Sequence, residues 1–92
     1  MKKVFVIEDK FEINGKGIVL VGITEDDSLK FQNGDIAVIK QANSHEVSVE
    51  VLGFELMRNT WSPHKPRNMS ILIPSNIGIE NIKLKSEVWG NV

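Results

Sequence analysis

The stretch Ile7-Glu8-Asp9-Lys10-Phe11-Glu12-Ile13-Asn14-Gly15-Lys16-Gly17-Ile18-Val19-Leu20-Val21-Gly22 reads as strand, tight turn, strand. It constrains the fold more than any other part of the chain. Phe11 and Ile13 share one face of an extended segment, because side chains alternate along a strand. Asn14-Gly15 supplies residues suited to positive φ and predicts a primed hairpin turn. Ile18 to Val21 is apolar, short and rich in β-branched residues, so it reads as strand rather than helix.

The rest of the chain has the same character. Val and Ile together number 21 against two Ala. β-Branched side chains lose rotamer freedom against a helix turn and pack well on a sheet. Turn signals recur at Asn14-Gly15, Glu25-Asp26-Asp27-Ser28, Asn33-Gly34-Asp35, Ala42-Asn43-Ser44, Ser62-Pro63 to Pro66 and Pro74-Ser75-Asn76. Strands are predicted at 3–8, 10–13, 17–24, 35–41, 45–56, 69–74 and 86–89. In Glu46-Val47-Ser48-Val49-Glu50-Val51 the Val side chains should point inward and the Glu side chains to water. Ile36-Ala37-Val38-Ile39 does not alternate, which predicts a strand covered on both faces or at a barrel seam. The expectation is an all-β protein: one domain over 1–92, a single small antiparallel β-barrel of six or seven strands, with no helix beyond about two turns.

Composition narrows the chemistry. A chain of this size buries roughly 60–65% of its unfolded surface, so the core is modest. With no cysteine there is no disulfide framework and no thiolate chemistry, which suits a cytoplasmic location. The apolar run after Lys2 and Lys3 is too short for a signal peptide or a membrane span, so no membrane association is expected. Net charge is −1, and its distribution says more than its sum. Residues 1–57 carry six Lys against ten acids, whereas 58–68 carry Arg58, Lys65 and Arg67 with no acid. That segment is suited to meet an anionic partner.

Catalytic, metal and cofactor sites are not expected. Gly15-Lys16-Gly17 lacks the spacing and the following Ser or Thr of a phosphate loop, and strand rather than helix follows it. His45 and His64 stand at separate turns without neighbouring ligands, short of the three or four a metal needs. Glu25, Asp26 and Asp27 read as a solvated loop tip. No Ser sits in a nucleophile elbow. Flavin-reductase barrels use a stretch containing Tyr, and this chain has no Tyr.

Several segments, taken in order, resemble the second domain, a β-barrel, of translational GTPases such as elongation factor Tu. The residues from Glu8 to Gly22 are similar to that family's Glu-Asp-x-Phe-x-Ile-x-Gly-Arg-Gly followed by an apolar strand and Gly. Asp27 to Ile39 resembles its Gly-x-Leu/Ile-Lys-x-Gly-Asp-x-Val-x-Ile element, with an extra residue or so. Val49 to Arg58 is similar to Val-x-Gly-Val-Glu-Met-Phe-Arg. Asn68-Met69-Ser70-Ile71-Leu72-Ile73 resembles Asn-Val-Gly-Val-Leu-Leu, and Glu80 to Lys83 the element before the last strand. The likeness spans about residues 6–89 and includes no GTPase domain. Three positions depart from the pattern. Lys65-Pro66-Arg67 replaces Ala-Gly, Ser86 replaces the Gly before the final strand, and Lys16 replaces Arg.

In that family the Glu and Arg matching Glu55 and Arg58 help to form the pocket for the terminal adenosine of aminoacyl-tRNA. A carboxylate can accept from ribose hydroxyls, and an Arg can fork to phosphate or stack on a base. The loop from Arg58 to Arg67 also mixes cations, Trp61, His64 and two prolines. Trp and Arg are frequent interface anchors, although Trp61 could equally plug the barrel. Trp89 is expected in the core or at its rim. The sequence therefore suggests a non-catalytic binding module without cofactor. Its expected partner is a protein, from the translation machinery or a toxin-like target. The binding surface is 53–67, with Glu55, Arg58, Trp61, His64, Lys65 and Arg67. The alternative is an RNA or tRNA 3′-end binding module using Glu55 and Arg58.

Overall fold

In the computed structural model, which describes residues 1–24, 28–57 and 67–91, seven strands form one antiparallel sheet. They are β1 (Lys2–Ile13), β2 (Gly17–Thr24), β3 (Ile36–Lys40), β4 (Glu46–Glu50), β5 (Gly53–Met57), β6 (Arg67–Ile73) and β7 (Glu87–Gly90). Their spatial order is β4-β3-β7-β1-β2-β6-β5. Two single-turn 3-10 helices, Ser75–Ile77 and Ile79–Asn81, lie between β6 and β7. Among the described residues no helix is long and apolar enough to cross a membrane.

The all-β expectation holds, with two boundaries redrawn. The strands expected at 3–8 and 10–13 are one strand, β1, whose pairing with β2 slips between Ile7 and Asp9. Such a bulge bends a long strand without ending it. The strand expected at 45–56 divides instead into β4 and β5 at Val51-Leu52. This division closes the fold. β4 and β5 are the outermost members of the sheet, yet only two residues separate them. Val51 N–H donates to Asp35 C=O at 2.8 Å, and Val51 C=O accepts from Gly34 N–H at 2.8 Å. Leu52 N–H donates to Leu72 C=O at 2.7 Å. The two ends of the sheet are thus tied at one bend in one chain, and the sheet curls back on itself as a barrel.

Side chains of alternate residues fill the interior. Ile7, Ile18, Leu20, Ile39, Met69, Ile71, Ile73, Val51 and Val88 are all under 2% exposed. Aromatic rings find room where glycine faces them. A Cβ on Gly22 would strike the Phe5 ring, and one on Gly90 would strike the Phe31 ring. Phe31 is 4% exposed and meets Phe54 edge-on at 6.5 Å, a favoured aromatic geometry. Val49 and Val51 are buried, Val47 packs on the core, and Glu46 and Glu50 are exposed, as the alternation predicts.

Three local expectations are corrected. Ile36 is 53% exposed while Ala37 and Ile39 are fully buried, so β3 alternates after all. The apolar residue at 36 is simply an outward-facing one. Trp89 lies on the outer face of β7, outside the core, where Lys40 Nζ sits 4.0 Å from its ring centroid and Glu87 accepts its indole N–H at 3.0 Å. The turn before β7 tolerates Ser86 because Lys85, not residue 86, takes the positive φ of 71°. The reading of Trp61 as a barrel plug falls outside the described residues, as does the Glu25-Asp26-Asp27 tip.

Candidate functional site: a groove on the outer sheet face

Register determines which side chains meet on the outer surface. Phe11 pairs with Val19, Val19 with Leu72, and Leu72 with Gly53. Directly opposed residues of an antiparallel sheet project to the same face. This makes an apolar row across β1, β2, β6 and β5. Phe11 is 50% exposed and Ile13, next along that face of β1, is 41% exposed. One step along the strands, Val21 pairs with Ser70 and Ser70 with Glu55, which adds a polar margin to the row.

Two turns bring further polar groups to this surface. The β1–β2 loop spans residues 14–16, since Ile13 pairs directly with Gly17. Lys16 N–H donates to Ile13 C=O at 3.0 Å, and Gly15 has φ 79°. Asn14 does not take positive φ, so the turn has the type II pattern rather than the expected primed one. Gly17 follows with φ 142°, and a Cβ there would collide with the Ile73 carbonyl. The second turn joins Gln32 to Asp35. Asp35 N–H donates to Gln32 C=O at 3.0 Å, the Asp35 carboxylate accepts from Gln32 N–H at 2.8 Å, and Gly34 has φ 95°. It delivers Asn33 to the same place as Lys16.

The result is a groove of about 430 Å³, lined by Ile13, Lys16, Val19, Asn33, Gly53, Phe54, Glu55, Ser70, Ile71 and Leu72. Ile13, Val19 and Leu72 supply the apolar side chains, while Lys16, Asn33, Glu55 and Ser70 supply the polar ones. Chemically the groove can hold a partly flat, partly apolar group. Its exposed carboxylate can accept hydrogen bonds, and its ammonium can meet negative charge.

Of the residues that the sequence singles out, Glu55 is exposed on β5 and lines this groove. Arg67 opens β6, its backbone paired with that of Thr24. Arg58, Trp61, His64 and Lys65 lie outside the described residues. Ile13, Val19, Asn33 and Leu72 were not singled out as site residues. Each reads locally as ordinary strand or turn, and only cross-strand register brings them to Glu55. Among the described residues no group of three or more His, Asp or Glu is placed to hold a metal ion.

Comparison with protein-family models, curated proteins and solved structures finds no match to this chain.

Proposed function

We propose that this chain is a non-catalytic binding module that holds a protein partner through the 53–67 surface, with the groove beside Glu55 as its described part. The observation that carries this reading is the apolar row Phe11, Val19 and Leu72, flanked by exposed Ile13 and a polar margin. An interface needs an apolar centre and a polar rim. Arg58, Trp61, His64, Lys65 and Arg67 adjoin Glu55 in sequence and add the anchor types that dominate interface energies. In this reading the partner belongs to the translation machinery or is a toxin-like target. In this reading the module works in the cytoplasm without a membrane or a cofactor, with which its lack of cysteine is compatible.

A second reading has its own observation in favour. Glu55 stands at the margin of an apolar floor with Lys16 among the same lining residues. That is a plausible chemistry for an RNA 3′ end: the floor against a base, the carboxylate for ribose hydroxyls, the ammonium for phosphate. This reading draws on the resemblance to the elongation factor Tu barrel.

One experiment separates the two. The tagged domain is used to capture partners from its native host, beside Leu72→Glu and Trp61→Ala variants whose folding is checked by circular dichroism. Labelled tRNA is then titrated at low and high salt. A protein retained by the wild type and lost with both variants supports the first reading. Saturable tRNA binding that falls steeply with salt and is lost with Glu55→Ala or Arg58→Ala supports the second. Capture unaffected by Leu72→Glu rejects the groove as the site.

A further inference from the structure

The ladder between β3 and β4 has a phase that can be read from its ends. Gln41 N–H donates to His45 C=O at 2.9 Å, and Val51 N–H donates to Asp35 C=O at 2.8 Å. Between them Ile39 faces Val47 and Ala37 faces Val49. Bonded and non-bonded pairs alternate along an antiparallel ladder. Val47 and Val49 therefore direct their backbone groups to β3, while Glu46, Ser48 and Glu50 direct theirs away from it. Among the described residues no further strand lies on that side of β4. The segment Pro74, Asn76 and Ile77 runs alongside, leaving a groove of about 310 Å³ lined also by Val47, Ser48, Val49 and Glu50. Among the described residues, no backbone hydrogen bond joins that segment to β4.

We propose that this edge of β4 accepts an extended, basic peptide segment as an added strand. Backbone groups of Ser48 and Glu50 supply the pairing, as in other strand-addition interfaces. Charge selects the occupant. Glu46 and Glu50 both project to the exposed face, and Glu50 makes no ion pair among the described residues. An added strand places alternate side chains beside them. Cations at those positions are favoured, and acids are opposed. The other side chains of the added strand face Val47, Val49 and Ile77, where apolar residues fit. A second copy of this chain is a poor occupant. Antiparallel pairing of β4 with itself, centred on Ser48, would set Glu46 against Glu50 at both ends. The inference is independent of the Glu55 groove.

The test uses the full chain with two labelled synthetic probes, Lys-Val-Lys-Val-Lys-Val and Glu-Val-Glu-Val-Glu-Val, read by fluorescence anisotropy. Ser48→Pro removes the outward N–H alone, a change that edge strands tolerate on their solvent side. The lysine probe should bind, weaken as salt rises, and lose affinity about tenfold or more with Ser48→Pro. The double variant Glu46→Lys with Glu50→Lys should lose the lysine probe and gain the glutamate one. Equal binding of both probes, binding of neither, or indifference to Ser48→Pro overturns the proposal. So does a dimer of the wild type, seen by sedimentation, that Ser48→Pro dissolves. Should Ser48→Pro fail to fold, the charge-reversed variant decides by itself.

Discussion

Replacing Gly17 by alanine should damage this fold far more than replacing Gly15, although both glycines stand in the same hairpin. Gly15 has φ 79°, and a Cβ there would meet nothing within 4 Å. Its substitution costs only left-handed backbone strain, about 1–2 kcal/mol. Gly17 has φ 142°, and its Cβ would collide with the Ile73 carbonyl and come within 3.4 Å of the Leu72 side chain. Strain at such a φ costs roughly 1–3 kcal/mol. The collision is with the backbone of β6, which cannot swing aside as a side chain can. Relieving it means parting β2 from β6 near the Ile18–Ile73 pair, and a lost ladder bond adds about 1 kcal/mol. The sum is about 2–4 kcal/mol, against a total of roughly 5–14 kcal/mol for a domain of this length. In thermal unfolding followed by circular dichroism, Gly17→Ala should lower Tm by about 8 °C or more, and Gly15→Ala by about half as much. Equal shifts for the two variants would refute the reasoning, and a larger shift for Gly15→Ala would reverse it.

Ser44 and Lys85 hold φ of 67° and 71° without being glycine, so Ser44→Gly and Lys85→Gly should each raise stability by up to about 1 kcal/mol in urea titration. Val49 is 7% exposed and Glu50 points to water; Val49→Asp should abolish the cooperative transition by burying an unpaired charge, and Glu50→Lys should leave it within about 0.5 kcal/mol. Gly90→Ala should cost about 1–3 kcal/mol because the Phe31 ring occupies the place of its Cβ. Part of that loss should return in Gly90→Ala with Phe31→Leu, and a double-mutant cycle showing strict additivity would remove the contact from the account.

Elements set by local chemistry were legible in the sequence. The β-branched run at 18–21 became β2, and Glu46 to Val51 alternates in burial as its pattern requires. What escaped depends on partners distant in the chain. Nothing in Glu8 announces the bulge that merges two expected strands, because the bulge answers to the register of β1 against β2. Nor does Val51-Leu52 look like a strand break. Its backbone groups stay bonded, first to Asp35 and Gly34 and then to Leu72, so the local sequence keeps its strand character through the bend. Asn-Gly suits several turn types, and at 14–16 it is the distant pairing of Ile13 with Gly17 that fixes a three-residue loop. The sequence singles out Glu55, and the structure sets it in a groove beside residues that the sequence does not single out. Ile13, Val19 and Leu72 come from three different strands and share no local signal.

Lys10 shows the same dependence from another direction. It lies on β1 opposite buried Leu20, where alternation alone would ask for an apolar residue. Its Nζ instead donates to the Ile79 carbonyl at 2.8 Å and the Ile82 carbonyl at 2.5 Å. The 3-10 turns between β6 and β7 leave carbonyls that no strand satisfies, and a long cationic side chain reaches them while its methylenes cover apolar surface. Asn81 adds a bond from its amide to the Ile77 carbonyl at 2.7 Å, and Gln41 donates to the Asn81 carbonyl at 3.0 Å. This irregular segment is therefore pinned from β1, from the start of the β3–β4 turn and from within itself. Its fixed course matters to the β4 edge, because Pro74, Asn76 and Ile77 form the far wall of the groove there. That wall is held by Lys10 and Asn81, and among the described residues no backbone hydrogen bond ties it to Ser48 or Glu50.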